Sequence, residues 1–223
     1  LIIAPQFLNE RDNTRHRLPD AVLRWQGNDW MGGQPAISPA PISSYAALDQ
    51  ILNQLNDRTR FPALREVVIA GHSGGAQVVQ RYALTTRADK ALQADGIKVR
   101  YVIANPSSYA WLTKQRPVAT FDAATCPGFN TWKYGLNDLP AYAEGQKHHQ
   151  LEASYVERDV TYLLGANDID PNHPALDKSC EAEAQGAFRL VRGKNYFASL
   201  TQRHPQGLHQ RLVEVPGVGH NGD

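Results

Sequence analysis

Short runs of β-branched and apolar residues alternate along this chain with segments whose apolar positions recur at helical spacing. Such alternation predicts an α/β fold, a mostly parallel sheet with helices on both faces. The predicted strands cover residues 1–4, 21–25, 65–70, 98–104, 159–164 and 210–215; the clearest helices cover 43–57, 76–87 and 180–192. Ser43 or Ser44 suits the N-cap of the first helix, because a serine hydroxyl accepts from N–H groups that the first turn leaves unpaired. Tyr45, Leu48, Ile51, Leu52 and Leu55 then share one face, as do Val78, Val79, Tyr82 and Ala83 in the second helix.

Two long stretches escape this alternation. Residues 6–42 contain Trp25, Trp30 and a Pro-rich passage, and residues 105–158 contain Trp111, Phe121, Phe129, Trp132, Tyr134 and Tyr142. Irregular stretches of this length in a compact domain usually carry function. Neither has the composition of an interdomain linker, and 223 residues with 42% hydrophobic content support one core, so a single domain over 1–223 is expected.

Charge removes some functions from consideration. A net charge of +1, with lysines and arginines scattered rather than clustered among aromatics, argues against a nucleic-acid partner. No apolar stretch approaches the roughly 20 residues that cross a bilayer, so no membrane span is expected. The chain opens inside an apolar run and its single methionine is Met31, so its natural start is expected upstream. Cys126 and Cys180 lack metal-ligand spacing; a disulfide between them is expected, with two buried free thiols as the alternative, and a bridge would indicate a secreted or periplasmic setting.

The candidate chemistry centres on Gly71-His72-Ser73-Gly74-Gly75, directly after the apolar run Val67-Val68-Ile69-Ala70 and before a helical pattern. A G-x-S-x-G sequence at a strand-to-helix turn reads as a nucleophile elbow, which holds the serine in a strained conformation with its hydroxyl above the sheet. Gly71 and Gly75 are expected to be glycines because side chains there would collide with the neighbouring strand and helix. A serine hydroxyl needs a base, and that base an orienting carboxylate. Asp168, three residues past Gly165 on the loop after the 159–164 strand, and His220, after the last strand, are the candidates; Asp170 is the nearest rival to Asp168.

Ser73, Asp168 and His220 in this chain order, each after a strand, resemble the α/β-hydrolase family. The resemblance covers nearly the whole chain, from the family's third strand to its histidine loop. It departs in two places: the family's first two strands are not visible, and the sequence ends three residues after His220, where a packing helix normally follows, so flanking segments are expected outside it. The resemblance implies catalysis by Ser73, Asp168 and His220. It also implies an oxyanion hole from the Gly74 N–H and a second donor in Ala4-Pro5-Gln6-Phe7-Leu8. Proline has no N–H, which leaves Phe7 or Gln6. Residues 105–158 would form a cap-like insertion or substrate wall.

Trp25, Trp30, Ser107 and Tyr109 are candidate pocket residues, and His72 sits at the variable elbow position, packed under the turn or lining the pocket. Asp168, Asp170, His173 and Asp177 lack a recognised ligand spacing, and no phosphate-cradling or dinucleotide-binding glycine loop is present, so neither metal nor cofactor is expected. The expected activity is hydrolysis of small-molecule carboxylic esters by a serine nucleophile. An amidase or peptidase using the same three residues, or a catalytically silent binding protein on this fold, are the alternatives. The sequence does not indicate an oligomeric state.

Overall fold

The computed structural model describes residues 1–222. It opens with a short parallel pair, β1 (Leu8–Asn9) and β2 (Arg24–Trp25), on either side of α1 (Glu10–His16). Helix α1 starts where it does because Asn9 accepts from the N–H groups of Arg11 and Asp12 while the Asp12 carboxylate accepts from the Asn9 N–H, a reciprocal cap. A 3₁₀ turn (Asp29–Gly32) leads to α2 (Ser44–Leu55), whose cap is Ser43 Oγ, 3.1 Å from the Tyr45 nitrogen.

The main sheet follows as β3 (Glu66–His72), α3 (Gly74–Thr85), α4 (Asp89–Ala94), β4 (Lys98–Ala104), α5 (His148–Val156), β5 (Asp159–Gly165), α6 (Cys180–Glu183), α7 (Arg189–Arg203) and β6 (Gln210–Val215). Its four strands run parallel in the order β3-β4-β5-β6, with Gly71 opposite Ile103, Ile103 opposite Tyr162 and Tyr162 opposite Leu212. All four strands therefore end at one edge, where loops meet. Val160, Tyr162 and Leu164 of β5 are fully buried, as expected of an interior parallel strand. Helix α3 packs on β3 and β4 and is buried continuously from Ala76 to Thr85.

The predicted strands 98–104 and 210–215 coincide with β4 and β6, and those at 65–70 and 159–164 lie within one or two residues of β3 and β5. Three expectations need correction. Residues 1–4 form no strand: Leu1 and Ile2 are over nine-tenths exposed, and apolar, β-branched composition makes a strand only where an edge pairs with it. Of 21–25, only Arg24–Trp25 pair. The predicted helix 180–192 is two helices, separated at Gly186 (φ 144°), and the second continues to Arg203. The repeat Leu190, Gly193, Tyr196, Phe197, Leu200 carries α7 forward.

The long segment after β4 is largely interior at its start: Asn105 to Trp111 are all buried. The expected disulfide joins Cys126 of this segment to Cys180 at the start of α6. Among the described residues, no helix is long and apolar enough to cross a membrane.

Candidate active site

Strand β3 ends at His72 and α3 begins at Gly74, so Ser73 alone makes the turn, at φ 54° and ψ −116°. A non-glycine residue with positive φ is strained, and here the surroundings fix it: the Ser73 N–H donates to Ala104 O at the end of β4 (2.9 Å). The turn needs a glycine at 71, because a Cβ there would stand 2.3 Å from Gly75 O. The matching expectation for Gly75 fails, since a Cβ on it meets nothing within 4 Å. The second crowded position is Gly74, where a Cβ would approach Met31 Cε to 2.8 Å and Trp30 to 3.3 Å.

The loops bearing the other two residues are bonded to each other. Ala166 N–H donates to Val215 O (3.0 Å) and Asn167 N–H to Val218 O (2.9 Å), while a Cβ on Gly165 would lie 2.5 Å from Val218 O. Asn105, at φ 48°, stops β4 and accepts from the Gly165 N–H through Oδ1 (2.8 Å), fixing where the loop after β5 departs. That loop then turns through Asp168 N–H to Gly165 O (3.1 Å).

The result is a continuous chain of contacts. His220 Nε2 lies 3.0 Å from Ser73 Oγ, and His220 Nδ1 lies 2.9 Å from Asp168 Oδ2. A carboxylate only accepts, so Nδ1 carries the proton and donates, which leaves the Nε2 lone pair to accept the serine hydroxyl. Asp168 and His220 are both buried. Burial holds the His220 pKa below the ordinary histidine value; the Arg189 and His72 charges push the same way, and the bond to Asp168 opposes them. The imidazole is thereby kept available as a base toward lower pH. Asp170 is exposed, and its carboxylate accepts from the Asn172 N–H (2.8 Å), so Asp168 is the aspartate brought to His220.

Gly74 is the first residue of α3, where helical N–H groups lack an intrahelical acceptor. Phe7 stacks on Trp30 (5.8 Å between centroids) and meets Trp25 edge-on (5.4 Å), which brings the 5–8 segment beside the wall that crowds Gly74; Gln6 is exposed. Phe7, Trp30 and Gly75 also border an apolar cavity of about 600 Å³ that follows β3 and α2, with Leu48, Val68 and Val79 in its lining.

Other expected pocket residues are engaged with the protein itself. Trp25 is buried and donates to Gln34 O (2.9 Å); Tyr109 is buried and stacks on Tyr196 (4.6 Å). Ser107 is buried between Arg189 Nε (3.1 Å) and Ala175 O (3.3 Å). His72 is brought to the site, its Nε2 2.7 Å from His220 O and its ring 4.8 Å from the His220 ring.

Sequence reasoning missed the surrounding arginines. Arg81, Arg189 and Arg192 are all completely buried. Arg81 donates to Lys133 O (3.0 Å), Met31 O (3.4 Å) and Ser108 Oγ (3.1 Å), tying the wall beside Gly74 to α3. The available signal was their closeness to apolar residues within helices: Arg81 directly before Tyr82-Ala83-Leu84, Arg189 and Arg192 bracketing Leu190-Val191. The acidic and histidine residues of the 168–177 loop do not gather round one point: Asp168 faces His220, and Asp177 accepts from Tyr134 OH (2.8 Å) and the Ser179 N–H (3.0 Å). Cys126, Cys180 and Glu181 do cluster, but the two sulfurs are bonded to each other and cannot ligate a metal.

No known family model matches the chain. No curated protein matches it either. Solved structures do. LpqC, a poly(3-hydroxybutyrate) depolymerase from Bordetella parapertussis, superposes with a TM-score of 0.62 at 22% identity, over 89% of this chain and 62% of its own. Poly(aspartic acid) hydrolase-1 from Sphingomonas sp. KT-1 gives 0.61 at 25% identity, over 87% of this chain and 66% of its own. The chain thus spans less than two thirds of the length of either. Both relatives are hydrolases, and what this chain shares with them over nearly nine-tenths of its residues is the α/β-hydrolase architecture, a parallel sheet with helices packed on it.

Proposed function

We propose that the chain is a serine hydrolase that cleaves carboxylic esters through an acyl-enzyme on Ser73. The observation that carries this reading is the unbroken relay of Ser73 Oγ, His220 and Asp168, at 3.0 and 2.9 Å, on a strained turn at the C-terminal edge of a parallel sheet. His220 removes the Ser73 proton as Oγ attacks the substrate carbonyl, and Asp168 holds the ring and stabilises the imidazolium. The carbonyl oxygen, negative in the tetrahedral intermediate, is received by the Gly74 N–H and a donor from the 5–8 segment, for which Phe7 is the candidate. Collapse expels the alcohol, protonated by His220; water activated by the same nitrogen then releases the acid.

Trp30 and the cavity below it suit apolar substrate groups, and residues 105–158 supply part of the substrate wall. The resemblance to a poly(3-hydroxybutyrate) depolymerase favours an ester; that to a poly(aspartic acid) hydrolase makes an amide the competing substrate. The disulfide favours a secreted or periplasmic setting.

The test is labelling of the folded protein with a fluorophosphonate, with the adduct located by peptide mass mapping and heat-denatured protein as control. Labelling at Ser73 in the folded protein alone is expected. Ser73→Ala should lower ester turnover by roughly 10⁴-fold or more with the fold unchanged. Esterase activity retained in Ser73→Ala would overturn the assignment, and faster turnover of a matched amide than of its ester would replace esterase by amidase.

A further inference from the structure

The Asp168 carboxylate has two oxygens, and only Oδ2 serves His220. Oδ1 is bound by Arg189 Nη1 at 3.3 Å, the donor that the described residues offer it. Both side chains are buried, so water does not compete for either. The rest of the guanidinium is equally occupied: Nε donates to Ser107 Oγ (3.1 Å) and Nη2 faces His173 Nδ1 (3.4 Å). Ser107 is in turn anchored on Ala175 O, and His173 Nδ1 accepts from the Ala175 N–H (3.1 Å). The next residue adds a main-chain grip, because the Leu190 N–H donates to Asp168 O (3.2 Å). The loop from Asp168 to Ala175 is therefore wrapped round one guanidinium at the start of α7.

We propose that Arg189 is a positioning residue for the proposed relay: it grips the far oxygen of Asp168 and thereby keeps the near oxygen on His220 Nδ1. The role rests on the reading of Ser73 as nucleophile. A carboxylate held through one oxygen swings about its Cβ–Cγ bond, whereas one held through both is fixed in plane, and the imidazole it supports is fixed with it. A guanidinium suits the task because it is planar and has enough donors to hold carboxylate, hydroxyl and ring nitrogen simultaneously.

Its charge has a second consequence. The groups facing His220 are Asp168 on the loop after β5, Arg189 on α7, His72 at the end of β3 and His173, whose ring meets the His220 ring edge-on at 4.9 Å. Asp170 acts more distantly, through Arg189. Arg189 disfavours the imidazolium through its charge, but the Asp168 bond that it holds in place favours the imidazolium more strongly. Activity requires neutral His220, so the acid limb of the pH profile moves to lower pH where the grip on Asp168 is lost, and to higher pH where only the charge is lost.

The test compares wild type, Arg189→Gln and Arg189→Lys by pH profiles of kcat and KM on an ester substrate, together with NMR titration of ¹⁵N-labelled His220. Arg189→Gln should lower kcat roughly 10- to 100-fold, the size expected for small misplacement of a reacting group, with KM changed less than about twofold. Its acid limb and the His220 titration midpoint should both move to lower pH, and the His220 Nδ1–H resonance should broaden or vanish. Arg189→Lys keeps the charge but not the fork, so its kcat should recover only in part. A folded Arg189→Gln with wild-type kcat, or one whose midpoint rises with the Nδ1–H resonance intact, overturns the proposal. If Arg189→Gln does not fold, wild-type kcat in Arg189→Lys overturns it. If wild type neither labels at Ser73 nor hydrolyses esters, the serine-hydrolase reading fails by itself, and the titration still decides whether Arg189 positions His220.

Discussion

The two halves of this molecule are held together by different physics. In the sheet, each strand satisfies its backbone groups against a parallel neighbour, and α3 covers β3 and β4 with apolar side chains. In the layer of loops at the strands' C-terminal ends, buried backbone has no ladder to join, and arginines take that part. Arg192 donates to Gly186 O (2.7 Å), Ser107 O (2.6 Å) and Asp177 O (2.9 Å); Arg116 reaches Thr113 O (2.6 Å), Phe129 O (2.6 Å) and Tyr134 O (3.2 Å). Burial brings the Arg192 guanidinium down to about 10, so it remains charged at neutral pH. One guanidinium with five donors satisfies several carbonyls from separate segments, which no periodic element can do. The Ser73–His220–Asp168 chain lies where the two regimes meet: the turn bearing Ser73 is locked by the strand ladder, and the loop bearing Asp168 by arginine.

The junction itself should be the most sensitive place. Gly71→Ala would put a methyl group 2.3 Å from Gly75 O and 2.4 Å from Gly75 C, both backbone atoms of α3 that a rotamer change cannot move. Strand and helix must separate, and a loss of about 4 kcal/mol, beyond the usual cost of an added methyl group in a packed core, is expected in urea unfolding, together with loss of fluorophosphonate labelling. A stable, labelled variant would mean that the turn tolerates being opened and that the ladder does not lock it.

Arg192→Met removes one of the loop layer's donors while keeping much of its apolar stem. It leaves the carbonyls of Gly186, Ser107 and Asp177 without this partner, and a loss of about 3 kcal/mol is expected from groups of this kind. Hydrogen exchange should sharpen the contrast: protection should fall in 105–110 and 177–188 while β4 and β5 amides lose only what global stability loses. Uniform loss across sheet and loops would show that the halves unfold as one unit and that the distinction lies in geometry only.

The same division explains what was legible in the sequence. The four sheet strands were readable because parallel, buried strands need continuous β-branched and apolar runs, and β4 and β6 were bounded to the residue. The positions of Ser73, Asp168 and His220 were readable because each follows such a strand. Residues 1–4 have the same composition without a pairing partner, so composition misled there. Helix α7 was cut short at Arg192 because Gly193 and Asn195 follow, both poor helix formers, whereas in the fold Gly193 is a close-packing point where a Cβ would lie 2.6 Å from Leu164 Cδ1. The acceptors of Arg189 and Arg192 are brought together from loops distant in sequence, and no local pattern records them.

The smallest expected effect tests the junction from its other side. A G-x-S-x-G pattern treats its two outer glycines alike, but here only one is required by contact. Gly75 lies in the first turn of α3 at an ordinary helical φ, and a Cβ on it meets nothing within 4 Å. Alanine there removes backbone freedom from the unfolded chain and gains helix propensity, so Gly75→Ala should stabilise by about 0.5 kcal/mol. For a chain of this size that amounts to roughly 1–2 °C in Tm. Turnover should stay within about twofold of wild type, since the added methyl group finds open space and displaces no neighbouring side chain. If Gly75→Ala were instead as damaging as Gly71→Ala, the helix would have to approach β3 more closely than these contacts show, and the crowding would belong to the whole turn rather than to the single carbonyl that faces Gly71.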